Sequence, residues 1–294
     1  MDWICQFLDY IKYEKRFSPE TYIAYEADLH QYSAFLAAGK KELKDATFKD
    51  IRLWIADELN CGKSARTVNR KISTLKSFYK FLMRNNYVSV NPTSKVISPK
   101  QKKSLPVFVS ESSMNTLFNH VEFPETFEGI RDRTIIEVFY ATGIRLSELI
   151  NIKREDIDFY NQTLKVLGKR KKERMIPFSK KLVPVLKEYI KTYENEFGSV
   201  EQETFLFVTR EGKVVNAGLV YKIVKKYLDM VSTVEKRSPH VIRHTFATHL
   251  LNNGADISAI KELLGHSSLA ATQIYTHTSI EKLKETYKQA HPRA

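Results

Sequence analysis

The sequence predicts a mainly α-helical protein with one small antiparallel β-sheet in its C-terminal part, organised as two domains. Three observations lead to this. Apolar residues recur at helical spacing along most of the 294 residues, the pattern of helices that bury one face. The period changes only between Asp156 and Phe178, where short alternating runs fit strands. Residues 91–107 are rich in Pro, Ser and Lys and have no apolar period. Such composition reads as an extended linker, and single cores rarely grow past about 250–300 residues. The predicted domains are therefore 1–90 and 108–294.

In the N-terminal domain, Phe7, Leu8, Ile11 and Tyr13 supply the apolar face of a first helix. Ser18-Pro19-Glu20 starts a second, with a capping Ser, Pro at the first helical position and an early acid. Tyr22, Tyr25, Leu29, Tyr32 and Leu36 continue it, and Gly39-Lys40 ends it. Thr47 to Leu59 forms a third helix with Ile51, Trp54 and Ile55 inward. Ser64 caps a fourth that runs to about Asn85, with Val68, Ile72, Leu75, Tyr79 and Leu82 as its apolar stripe. Its other side carries Lys63, Arg66, Arg70, Lys71, Lys76, Lys80 and Arg84. Such a face can lie along a nucleic-acid backbone, where each cation neutralises a phosphate and releases counterions; an ordinary solvated helix face is the alternative. Lys102 and Lys103 in the linker can follow the same backbone.

In the C-terminal domain, Ser110-Glu111 opens a helix containing Met114, Leu117 and Phe118. The next runs from about Ile130 to Thr142 and is apolar enough to be buried; Gly143 ends it and Arg145 follows. Leu146, Leu149 and Ile150 draw this segment inward. A buried guanidinium needs a partner, and Glu148 is the candidate. Ile157–Phe159, Thr163–Leu167 and Arg174–Pro177 read as three antiparallel strands, and the second turn places Lys169 at a hairpin tip. Helices resume at Leu182–Phe197 and Val215–Val231, and an amphipathic helix over Ile280–Tyr287 closes the chain.

Charge points to the partner class. The net charge of +13 favours a polyanion, nucleic acid before an anionic membrane surface. The two cysteines, Cys5 and Cys61, have no metal-ligand spacing and suit a reducing cytoplasm. The N-terminus does not read as a signal peptide, and no run of about 18 apolar residues suggests a membrane span.

The chemistry concentrates between Ser238 and Tyr275. Ser238-Pro239 starts a helix on which His240 and Arg243, three apart, share a face. Gly265 ends the following helical run, His266 comes directly after it, Ser267 or Ser268 can cap a new helix, and Tyr275 falls about two turns later. His244 and His249 sit in a core-like run and read as structural. A zinc site built from His240, His244 and His249 lacks a His-Glu-x-x-His pattern or a Cys cluster. Arg, His, Lys and Tyr together fit phosphoryl transfer without metal or cofactor. Guanidinium groups fork onto non-bridging oxygens and stabilise the charge of a pentacoordinate transition state. A Tyr hydroxyl needs cations beside it to attack, and an alkoxide leaving group needs a general acid, a role open to Lys169.

The runs Ala141-Thr142-Gly143-Ile144-Arg145-Leu146-Ser147-Glu148-Leu149, Gly168-Lys169, His240-Val241-Ile242-Arg243-His244-Thr245, Leu264-Gly265-His266-Ser267-Ser268 and Tyr275-Thr276-His277 occur in one order. In that order the chain resembles the tyrosine recombinases, the integrase-like family, and its Xer subfamily in particular. Phe17-Ser18-Pro19-Glu20-Thr21 and Asn91-Pro92 extend the likeness over nearly the whole chain. One departure is Arg170, where relatives often have a second Gly.

The resemblance implies an N-terminal core-binding (SAM-like) domain and a C-terminal catalytic domain. It implies Arg145 and Arg243 as the phosphate clamp, Tyr275 as nucleophile, Lys169 as general acid, His240 in acid–base roles and His266 as a hydrogen-bond donor to phosphate. The implied reaction proceeds through a 3′-phosphotyrosyl link and a Holliday junction with no ATP or metal. The implied assembly is a homo- or hetero-tetramer on double-stranded DNA with an inverted-repeat site, with a paralogous partner, an activating DNA translocase, and the last helix docked into the next protomer. Resolution of chromosome dimers at cell division is the implied role. An integrase of a phage or mobile element, and a DNA-binding protein that keeps only the fold, are the alternatives.

Overall fold

Capping side chains set the helix starts of the N-terminal half. In the computed structural model, which describes residues 2–100, 107–168, 173–198, 204–265 and 277–294, Asp2 accepts from the amides of Ile4 and Cys5. That opens α1 (Trp3–Asp9), which runs on into a π-helical turn, Tyr10–Glu14. Ser18 accepts from the Thr21 amide at the start of α2 (Pro19–Ala38). Asp50 takes both the amide (2.8 Å) and the hydroxyl (2.7 Å) of Thr47 at the start of α3 (Phe48–Asn60). Ser64 caps α4 (Ala65–Arg84) through the Thr67 amide. Each cap satisfies donors that a helix end would otherwise leave open. The expected stripe of α4, from Val68 to Leu82, is buried and packs on α1, α2 and α3.

Lys71 departs from the expected basic face. Residues 68, 71, 75 and 78 share one side of a helix, so Lys71 lies in line with Val68, Leu75 and Phe78 and is buried with them. Its ammonium donates to Glu58 (2.5 Å) and Gln31 (2.6 Å) and lies 5.2 Å from the Trp54 ring centre. Arg70 donates to the buried Asp28, which also accepts from the Thr74 hydroxyl. Lys63, Arg66, Arg70, Lys76, Lys80 and Arg84 are exposed.

The chain divides into two compact units, Met1–Ser104 and Leu105–Ala294. The first part of the expected linker is less free than its composition suggests. Val96 joins the core of the N-terminal unit, and Asn69 Nδ2 donates to the Pro99 carbonyl (3.0 Å).

The C-terminal unit has its own core. Ser110 caps α5 (Glu111–Asn119). Thr126 accepts from the Gly129 amide (3.2 Å), so α6 (Phe127–Thr142) starts earlier than its apolar run implied. Nearly every residue of its last two turns is buried, and it packs on α8 and α10. After α7 (Leu146–Ile150) come β1 (Ile157–Asp158), β2 (Thr163–Leu167) and β3 (Glu173–Pro177). They form one antiparallel sheet in that order, with Val166 opposite Arg174 and Leu164 opposite Ile176. The strands thus fall where the change of period placed them. Then follow α8 (Leu182–Phe197), α9 (Ala217–Val231), α10 (Pro239–Asn252), α11 (Ile257–Leu264) and α12 (His277–Ala290). Helix α9 starts after Val215, where Asn216 caps it by accepting from the Leu219 amide (2.9 Å).

The resemblance implied that the last helix docks into a neighbouring protomer. In this single chain α12 packs on α10, α11 and β3 of its own unit. Its apolar residues Leu283 and Tyr287 are 3% exposed there, covering surface that would otherwise face water. No described helix is long and apolar enough to cross a membrane.

Candidate active site

The site is built where α6, α7, α10, α11 and β3 meet. Gly143 ends α6 in the left-handed region, at φ 59°. A β-carbon there would stand 2.4 Å from the Phe246 ring, so this turn requires Gly on two counts. Two residues on, Arg145 occupies the cap position of α7, and its amide donates to the Glu148 side chain (2.7 Å). The Arg145 guanidinium donates to the other carboxylate oxygen through Nη1 (2.8 Å). Its side chain remains 35% exposed, whereas that of Glu148 is 2% exposed. Glu148 is therefore the partner the sequence suggested, and Arg145 keeps an accessible edge.

Arg243 projects from α10 and is buried. Its Nη1 donates to the Gly143 carbonyl and its Nη2 to the Leu264 carbonyl, both at 2.6 Å. Arg145 Nη2 donates to the next carbonyl, that of Gly265 (3.0 Å). Arg174 Nε, from β3, donates to the preceding one, Leu263 (3.2 Å). Three consecutive carbonyls at the C-terminal end of α11 thus each receive an arginine. Those carbonyls have no partner within the helix and form the negative end of its dipole, which is why cations gather there.

Electrostatics follow from this packing. Burial alone would favour a protonated Glu148, but hydrogen bonds and charge from Arg174, then Arg145, hold its carboxyl at about 2. Arg243 is pushed down to about 10, by burial first and then by the positive charge of Arg145 and Arg174. A buried guanidinium and a partly exposed one, donating to adjacent carbonyls, suit an anion.

His240 lies one helical turn before Arg243 on α10 and is exposed. Pro239 fills the first position of that helix, while the Ser238 side chain makes no capping hydrogen bond. His249 is structural, as its surroundings implied: Nδ1 accepts from the Tyr140 hydroxyl and Nε2 donates to the Val109 carbonyl, each at 2.9 Å. His244 is half-buried. Lys169, His266 and Tyr275, and with them Lys102 and Lys103, lie outside the described residues. Among the described residues, no group of three or more His, Cys, Asp or Glu could hold a metal ion.

Sequence reasoning missed Arg174. A signal was available, because Arg174 and Ile176 alternate along β3 with exposed Glu173, so Arg174 faces inward. A charge at an inward strand position must be paired.

The arrangement can bind a phosphodiester and stabilise extra charge on it. Comparisons with known proteins identify the family. Residues 107–282 match the phage integrase family, and residues 4–86 match the phage integrase N-terminal SAM-like domain. The chain belongs to the phage integrase family, the tyrosine recombinases. Within that family it is similar over nearly its full length to recombinases of the Xer branch. It is 39% identical over 318 residues to tyrosine recombinase XerC of Chlorobaculum parvum, covering 99% of this chain and 95% of that one. With tyrosine recombinase XerC of Bacillus subtilis it shares 38% identity over 295 residues, covering 98% and 95%. In fold it resembles the Tn1549 transposon integrase in complex with circular intermediate DNA, with a TM-score of 0.73 at 20% identity over 95% of this chain and 98% of that one. It also resembles XerH site-specific recombinase bound to a palindromic difH substrate, with a TM-score of 0.72 at 20% identity over 96% and 93%.

Proposed function

We propose that this chain is a site-specific DNA recombinase of the Xer type, which cuts and rejoins double-stranded DNA at an inverted-repeat site. The observation that carries this reading is the convergence of Arg145 and Arg243 on the adjacent carbonyls of Gly265 and Leu264. Guanidinium groups gathered at one place suit the non-bridging oxygens of a phosphodiester. In this reading they bind the scissile phosphate and stabilise the charge gathered in the transition state. Tyr275 attacks phosphorus and forms the 3′-phosphotyrosyl link, while Lys169 gives a proton to the departing 5′-oxygen. His240 serves proton transfer, His266 donates to the phosphate, and Glu148 holds Arg145. The covalent link conserves the phosphodiester's energy, so a free 5′-hydroxyl can attack it in turn and complete strand exchange through a Holliday junction.

The exposed cations of α4 and the lysines at 102 and 103 hold the duplex. A tetramer of this chain, alone or with a paralogue, carries out two successive pairs of exchanges, activated by a DNA translocase. The cellular role is resolution of chromosome dimers at division, in the cytoplasm. The test uses a nicked suicide duplex carrying the inverted-repeat site selected by this chain from a random library. The wild-type chain leaves a covalent protein–DNA adduct on a denaturing gel, and Tyr275→Phe leaves none. A wild-type chain that binds its selected site yet yields no adduct overturns the reading.

A further inference from the structure

The reaction proposed above gives no part to Arg174, although its contacts are those of a buried electrostatic device. The residue is 5% exposed. Its guanidinium forks onto Glu148, Nη1 to Oε1 at 2.7 Å and Nη2 to Oε2 at 2.8 Å. Glu148 also accepts from the Arg145 side chain on Oε1 and from the Arg145 amide on Oε2. Four donors therefore occupy the four lone-pair positions of one carboxylate. Arg174 also holds the end of α11, through its Nε bond to Leu263 and through contact with Gly265, whose added β-carbon would sit 3.1 Å from the Arg174 side chain.

The balance of charge gives this arrangement a consequence for the chemistry. A buried carboxylate beside Arg145 holds that guanidinium in place, but alone it would also cancel the charge meant for the phosphate. Arg174 supplies a second cation to the same carboxylate. Among the described residues, three arginines against one glutamate leave two positive charges. A phosphodiester carries one negative charge, and its transition state gathers more, where fixed cations act most strongly.

We propose that Arg174 is a positioning residue of the recombination reaction: it neutralises and orients Glu148, so that Arg145 is held in place while offering its full charge to the scissile phosphate. The proposal rests on the reading of Arg145 as part of the phosphate clamp.

The test compares single-turnover cleavage by the full chain on two suicide duplexes. One carries the ordinary phosphodiester, the other a methylphosphonate at the scissile position, which lacks the negative charge. Arg174→Gln is expected to lose about 10²-fold on the phosphodiester and at least about tenfold less on the methylphosphonate, in the range known for removal of a transition-state charge partner. Arg174→Lys restores the charge without the fork and recovers part of the rate. Glu148→Gln/Arg174→Gln removes both buried charges, and so guards against a single variant that fails to fold. Its ratio of phosphodiester to methylphosphonate rates is expected to return toward that of the wild type. Equal losses on the two substrates, no loss on the phosphodiester, or a ratio in the double variant as low as in Arg174→Gln overturns this assignment alone. Absence of any adduct from the wild-type chain overturns the recombinase reading and this assignment with it.

Discussion

Arg243 donates to the carbonyl of Gly143 across 2.6 Å, so the helix that carries one arginine of the proposed clamp is tied to the turn that leads into the other. Gly143→Ala attacks this tie at its base. The new β-carbon meets the Phe246 ring at 2.4 Å in a backbone of φ 59°. The expected cost is about 1–3 kcal/mol of stability, measured by denaturant unfolding, together with a loss of adduct formation greater than the loss of DNA binding. A variant that keeps wild-type stability and cleavage would refute the importance of this turn.

Glu148 predicts how the C-terminal unit responds to acid. Its carboxyl lies at about 2 in the fold against an ordinary 4.5. The unfolded chain therefore takes up the proton first as the pH drops. This stabilisation is complete above about pH 4.5 and lost as pH falls from there toward 2. It amounts to something on the order of 3 kcal/mol. Glu148→Gln should be less stable at neutral pH, by about 3–5 kcal/mol, because two guanidinium groups lose their partner. Its stability should also fall less between pH 5 and pH 3 (roughly the span of the titration) than that of the wild type. Parallel acid curves for the two proteins would contradict the assignment.

His291 sets a second acid limit, at higher pH. Burial, then unfavourable charge from its surroundings, lowers it to about 4 from an ordinary 6.5. The neutral ring donates from Nε2 to the Tyr140 carbonyl (3.0 Å) and accepts at Nδ1 from the Arg293 amide (3.1 Å). Protonating Nδ1 replaces that acceptor with a donor. The contribution is complete above about pH 6.5 and disappears as pH falls toward 4, since the unfolded chain binds the proton first. Hydrogen exchange of the α12 amides, corrected for intrinsic rates, should show protection falling across this window. His291→Gln should flatten the dependence, and protection that stays constant from pH 7 to pH 4.5 (roughly the titration window) would count against it.

On α4, burial separates cations that the sequence grouped together. Arg66→Ala or Lys76→Ala removes an exposed charge and should reduce the slope of log affinity for DNA against log salt by about 1. Lys71→Met removes a buried one, paired with Glu58 at 2.5 Å. It should cost about 3 kcal/mol of stability, because Glu58 loses its partner, with the salt slope unchanged. A reduced slope in Lys71→Met would reverse the distinction.

Much of this was readable in advance, for reasons that differ from element to element. Local chemistry was the most legible. Ser18-Pro19, Ser64 and Ser110 each announce a helix through their own side chain or ring, and the structure places helices after all three. The partnership of Arg145 with Glu148 was readable because Leu146, Leu149 and Ile150 draw the segment inward, where a guanidinium needs a partner. Non-local pairings left weaker traces. Lys71 looked like its neighbours Arg70 and Lys76, and only Glu58 and Gln31, on other helices, reveal why it is inside. Arg174 needed the strand register and the knowledge that Glu148 lies behind the sheet. The first turn of α6 depends on Thr126 rather than on apolar spacing, so periodicity alone starts the helix too late.

Gly265 closes α11 in the left-handed region, at φ 63°, with Arg174 packed against it. Every single-base change in a glycine codon that alters the amino acid adds a β-carbon. Here that atom would strain the backbone and press on the side chain that balances Glu148. Descendants of this gene can drift at the exposed rows of α4 without disturbing a packed neighbour, but this codon offers them no such step. The exposed surface can diversify in such a lineage while the end of α11 stays fixed.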